Sequence, residues 1–197
     1  MPQIPARCVA ATRVLLFIEL EWAAARSTPS ASCRCIRAVR TADELSNPGR
    51  FFEPPRKRPF HWTGEGPIAR WRMLDVILDS GIVAVAYYAH ISRRGQRSVR
   101  NEMLPRASRW AADEGVEHLV IEASDDVTMS RDQHTLLDTF RESGGVPFGY
   151  DWRSKSEPLL WIADAVAGAV GEFVIGKDDQ WFNRLSAAGA IHLKQHP

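Results

Sequence analysis

Residues 156–173 read "SEPLLWIADAVAGAVGEF", a helical run with one charge out of place. Ser156 is a suitable N-cap, and Pro158 fits the first turn, where its missing N–H is not needed. Glu157 and Glu172 stand near the ends, within reach of water. Between them the only charge is Asp164. At helical spacing its neighbours are Leu160, Trp161, Ala167 and Gly168. That face is apolar, and small on its C-terminal side, so the helix can approach a sheet closely. Asp164 therefore points into packed protein or into a narrow cleft at its edge. A carboxylate there must be protonated, hydrogen-bonded or paired with a cation.

The segments upstream alternate in kind. "RVLLFIEL", 13–20, is a candidate buried strand ending at Glu19, and "CRCIRAV", 33–39, alternates as a half-exposed strand does. Residues 46–67 hold five prolines and predict irregular structure. "PIARWRMLDVILDSG", 67–81, predicts a helix with Ile68, Trp71, Leu74, Ile77 and Leu78 on one face. "IVAVAYYAH", 82–90, predicts a central strand. Residues 98–115 predict a helix that Pro105 kinks or divides. "VEHLVIEA", 116–123, predicts a strand ending at Glu122, and residues 130–145 a capped helix with a glycine stop. "VPFGYDW", 146–152, predicts an edge strand, because Pro147 cannot donate to a ladder. After the helix of Asp164, residues 178–189 predict a last short helix. The order implies an α/β fold, a mixed sheet flanked by helices. Acids at strand ends face the crevice where such sheets place their sites.

The chain has 197 residues, 45% hydrophobic and 25% charged, with a net charge of +1. That is an ordinary globular composition with room for one core, and it argues against wholesale disorder. A single domain is expected. Residues 1–35 form an atypical N-terminal strand and loop whose order the sequence leaves open, and residues 36–197 form the α/β domain. Three cysteines, Cys8, Cys33 and Cys35, match neither a disulfide framework nor a zinc site, and read as a reducing, cytoplasmic setting. Arg13, Glu19 and Glu21 break the N-terminal apolar run, against a signal peptide. No window approaches the ~18 apolar residues of a membrane span. Charge is segregated: six arginines and one acid lie between Arg93 and Arg109, then nine acids and two arginines between Asp113 and Glu142. Such a basic segment suits a phosphate-bearing partner, or a solvated helix face paired with the acidic stretch.

"EPLLWIADAVAGAV" resembles the C-terminal motif of the ribonuclease H-like proteins grouped as domain of unknown function 3800. Leu160, Ala163, Asp164, Ala167 and Gly168 match its Leu-x-x-Ala-Asp-x-x-Ala-Gly pattern. "LVIEASDD" and "RPFHW", 58–62, resemble that family's acid-tipped strand and histidine segment. The likeness covers roughly residues 36–175. It implies a ribonuclease H-like mixed sheet flanked by helices. One departure is at "FIELEW", where the family's first strand ends in Asp-Glu-Ser. Glu19 stands where the aspartate falls, with Leu20 and Glu21 for the next two.

Two functions follow as expectations. In the first, Glu19, Glu122 and Asp164 are catalytic and hold Mg²⁺ or Mn²⁺ for a nuclease or strand-transfer reaction on phosphodiesters, because hard divalent ions take carboxylate oxygens. Arg93, Arg94, Arg97 and Arg100 would bind the nucleic-acid backbone. In the second, the altered first strand leaves a catalytically degenerate ribonuclease H-like binding protein of a mobile-element or defence system. Other candidates are His61 with Glu65 as a ligand or general base, Trp62 and Trp152 as stacking platforms, and Asp125–Asp126 as a turn or metal aid. No membrane partner is expected, and the oligomeric state is not legible.

Overall fold

The computed structural model describes the backbone of residues 14–23, 33–39, 58–79, 82–91, 96–113, 116, 118–145 and 148–195, and side chains within 58–88 and 101–194 of those spans. It is a mixed α/β fold. The strands are β1 (Val14–Ala23), β2 (Cys33–Val39), β3 (Ala84–Ile91), β4 (His118–Glu122), β5 (Gly149–Arg153) and β6 (Ile191–Gln195). The helices are α1 (Pro67–Asp79), α2 (Gln96–Asp113), α3 (Asp126–Glu142), α4 (Pro158–Val174) and α5 (Gln180–Ala187), with a 3-10 turn at Trp62–Gly64. Two parallel pairs, β3–β6 and β4–β5, flank the antiparallel pair β1–β2, giving the order β5-β4-β2-β1-β3-β6. β5 is an edge strand as expected, but it runs Gly149–Arg153 rather than 146–152, and Pro147 lies outside the described residues. Among the described residues, no helix is long and apolar enough to cross a membrane.

Strand alternation divides the core between the two faces of the sheet. Ala84 and Ala86 of β3 join a cluster with Phe60, Trp62, Leu74, Ile77, Trp181 and the alanine-rich face of α4. Leu119 and Ile121 of β4 join the other cluster, with Met103, Leu104, Leu136, Phe140 and Phe148 of the α2–α3 side. Tyr88 packs on the first cluster and Tyr87 on the second. Ala163, Ala165, Ala167 and Ala169 of α4 are fully buried. Their small side chains let α4 lie close across β1, β2 and β3.

Several boundaries differ from the sequence expectation. α2 runs unbroken through Pro105. Met103, Leu104 and Ala107 are buried there, and that packing holds the helix against the missing donor, whose cost is about 3 kcal/mol. α3 starts four residues early, because Asp125 is its N-cap: the carboxylate accepts the Thr128 N–H at 2.9 Å. Asp125 thus serves a helix start. The N-cap of α4 is Glu157, not Ser156, with its side chain accepting from Leu159 N. On α1, Leu74 and Ile77 are buried as expected, but Ile68 in the first turn is 72% exposed. The helix expected over 178–189 is not the last element, since Ile191–Gln195 forms β6 beside β3. Gly144 and Gly189 follow α3 and α5 with φ of 84° and 68°, the left-handed geometry that glycine adopts without strain.

Candidate functional site

Asp164 has its answer in a segment a hundred residues earlier. Its Oδ2 accepts the backbone N–H of Trp62 at 2.6 Å and a hydrogen bond from His61 Nδ1 at 3.2 Å. The side chain of Asp164 is 18% exposed, at the rim of the core, while His61 is 63% exposed. The carboxylate therefore ties down a turn whose amide would otherwise lack a partner. A charged acceptor makes such a bond stronger than a neutral one.

The turn is fastened from its other side too. Gly64 N donates to His61 O, and Glu65 N to Trp62 O. Arg70 donates from Nε and a terminal nitrogen to Trp62 O, at 3.1 and 3.0 Å. The same guanidinium lies over the Trp62 ring, 4.5 Å from its centroid, and donates to both oxygens of Glu172. Glu172 is buried and also takes Lys177 Nζ at 2.6 Å. Trp62 is 1% exposed, so it is core and not a platform for a base. Its ring rests on Gly168, one turn beyond Asp164 on α4, where any side chain would strike it. Asp164 and Gly168 thus hold two parts of one residue, its amide and its indole.

With Trp62 directed inward, its neighbours His61 and Thr63 are exposed. Thr63 Oγ1 is 3.0 Å from His61 Nε2. Because the Asp164 carboxylate only accepts, the neutral imidazole carries its proton on Nδ1, and Nε2 accepts from Thr63. Glu65 lies 3.7 Å from Arg58 Nη2.

The other expected site residues lie as follows. Glu122 ends β4, and its carboxylate is 3.3 Å from Lys155 Nζ. Lys155 precedes α4, and its carbonyl accepts Trp161 Nε1 at 2.7 Å. Glu19 lies on β1, on the rung shared with Arg34 of β2 and Tyr87 of β3; its side chain is outside the described residues. Arg93 and Arg94 are outside the described residues altogether. Arg97 and Arg100 belong to the first turns of α2, side chains again not described. Further along α2, Arg106 is exposed and Arg109 pairs with Glu142 at 2.9 Å. That bond joins the basic stretch to the acidic one. Trp152 lies half-buried on β5.

Glu122 and Asp164 carry the hard oxygens that Mg²⁺ or Mn²⁺ takes. Each, however, is bound within the chain, and among the described residues no three His, Cys, Asp or Glu side chains gather as a metal-holding group. The described residues do not by themselves fit a metal centre.

Sequence reasoning missed Thr63, the Trp62 amide and the Arg70–Glu172 pair. The usable signal was the four-residue spacing of Asp164 and Gly168, an acceptor and a flat seat stacked on one helix face. Comparison with protein-family models, curated proteins and solved structures returns no match to this chain.

Proposed function

We propose that this chain is a ribonuclease H-like protein that binds nucleic acid without cleaving it. One observation carries this reading. The motif acid Asp164 is committed to the Trp62 amide and His61, which gives it a structural duty without a metal. The basic run that begins before α2 supplies the arginines, Arg93, Arg94, Arg97 and Arg100, to neutralise a phosphate backbone. The α/β sheet with helices on both faces is compatible with the ribonuclease H-like arrangement that the Asp164 motif suggested.

A second reading keeps the nuclease, with Glu19, Glu122 and Asp164 around Mg²⁺ or Mn²⁺. It is favoured by the Glu122 pair, since Lys155 is 71% exposed and a solvated ion pair is worth about 0–1 kcal/mol, little enough for a cation to displace.

Fluorescence anisotropy with labelled single- and double-stranded oligonucleotides separates the two. The binding reading expects affinity that falls steeply with salt, no cleavage with Mg²⁺ or Mn²⁺, and no change in melting temperature at millimolar metal. Metal-dependent cleavage, with a metal-induced rise in melting temperature lost in Glu122→Gln, would replace it by the nuclease. Absence of any salt-sensitive binding would remove the nucleic-acid partner.

A further inference from the structure

We propose that Thr63 is a nucleophile, activated by the His61–Asp164 pair, that accepts an acyl group from a small uncharged carboxylic ester. This does not depend on nucleic-acid binding. The line Thr63 Oγ1–His61 Nε2, 3.0 Å, then His61 Nδ1–Asp164 Oδ2, 3.2 Å, has the order of hydroxyl, base and orienting acid. Nucleophilic hydroxyls need such a base, and the base needs a third group to fix its tautomer. Asp164 is itself fixed by the Trp62 amide at 2.6 Å, on a turn also held by Arg70. Rigid mounting of this kind distinguishes a usable relay from a chance surface contact.

Access and charge define the substrate class. His61 and Thr63 are both exposed, and beside them Gly64 and Gly66 leave open space, with no atom outside their chain neighbours within 4 Å of where a Cβ would stand. The guanidinium groups beside the turn, Arg58 and Arg70, are already paired with Glu65 and Glu172. Two carboxylates, Glu65 and Asp164, lie close to the turn. Both guanidinium groups are thus committed to carboxylates that an anionic substrate would have to displace, whereas a neutral ester needs neither of them.

The step balances without a cofactor. Thr63 Oγ1 attacks the ester carbonyl carbon, and its proton passes to His61 Nε2. The new C–O bond forms as the ester C–O bond breaks, and the leaving alcohol takes the proton from His61. Water then attacks the acyl-threonine, again giving its proton to His61 Nε2. The acid is released and the Thr63 hydroxyl regains that proton.

The test uses the full chain with 4-nitrophenyl acetate, following nitrophenolate release and the mass of the Thr63 peptide. A burst with one acetyl group on Thr63 is expected, retained in Thr63→Ser and absent in Thr63→Val. His61→Gln is expected to slow the burst about a hundredfold or more, the usual range of a lost general base. Both sites are exposed, so unchanged melting temperatures serve as the folding control. Acetylation only at other residues, a burst unaltered in Thr63→Val, or no acetylation at all would overturn the proposal.

Discussion

Replacing Gly168 by alanine pits two effects of opposite sign against each other. In an open helix the change stabilises by about 1 kcal/mol, because alanine is the better helix former. Here an added Cβ would stand 2.5 Å from Trp62 Cδ2 and closer still to Cγ and Cδ1. Real carbons do not approach so closely, and Trp62 is 1% exposed with Phe60, Trp181 and Arg70 around it. The indole must shift as a whole. Overpacking a well-filled core costs about 1–3 kcal/mol, and occasionally more. An upper bound is the loss of the tryptophan from its seat, about 3–5 kcal/mol. Allowing for the helix-propensity gain, the net expectation is about 2–3 kcal/mol of destabilisation. For a chain of this length that lowers the melting temperature by about 5–10 °C. Urea unfolding of Gly168→Ala measures it directly. In a Trp62→Leu background the ring is gone, and Gly168→Ala becomes neutral or stabilising by up to about 1 kcal/mol, a coupling of about 2–4 kcal/mol. Equal or greater stability of the single variant would refute the packing argument, because helix propensity alone would then suffice.

Other outcomes follow from the same geometry. Arg70→Met removes two hydrogen bonds from buried Glu172 while Lys177 still pairs with it, and is expected to cost about 1.5–3 kcal/mol, whereas Arg70→Met with Glu172→Leu costs less; chemical denaturation of both checks it. The Thr128 N–H, and then its hydroxyl, hold the Asp125 carboxyl at about 2 against an ordinary 3.8. A depressed carboxylate contributes stability above its unfolded value and loses it as pH falls through the folded one. Stability therefore declines between about pH 4 and pH 2 partly through Asp125, and Asp125→Ala flattens that limb; an unchanged acid limb in the variant would contradict the cap.

What the sequence disclosed was largely local. The helical spacing of 158–174 and the alternation of 33–39 each state their element, because the cause lies within a few residues. β6 escaped because "IHLKQ" is short, and its partner β3 lies a hundred residues away. Pro105 reads as a break unless the burial of Met103 and Leu104 is known. The oddity of Asp164 was visible, and so was its need of a partner. Its actual partners, the Trp62 amide and His61, belong to a proline-flanked turn whose position only the folded chain defines. The three-acid reading treated Asp164 as seeking a cation. An N–H and an imidazole satisfy the same demand.

The anchoring of Trp62 by Asp164 is tested most directly by amide hydrogen exchange at Trp62, compared between the native chain and Asp164→Ala. With the carboxylate present the Trp62 N–H is expected to exchange slowly. In the variant its protection falls by about tenfold or more while Leu136 and Phe140, on the opposite face of the sheet, keep theirs, since an orphaned buried amide costs about 1–3 kcal/mol. A Trp62 amide equally protected in both proteins would show that something other than Asp164 holds the turn.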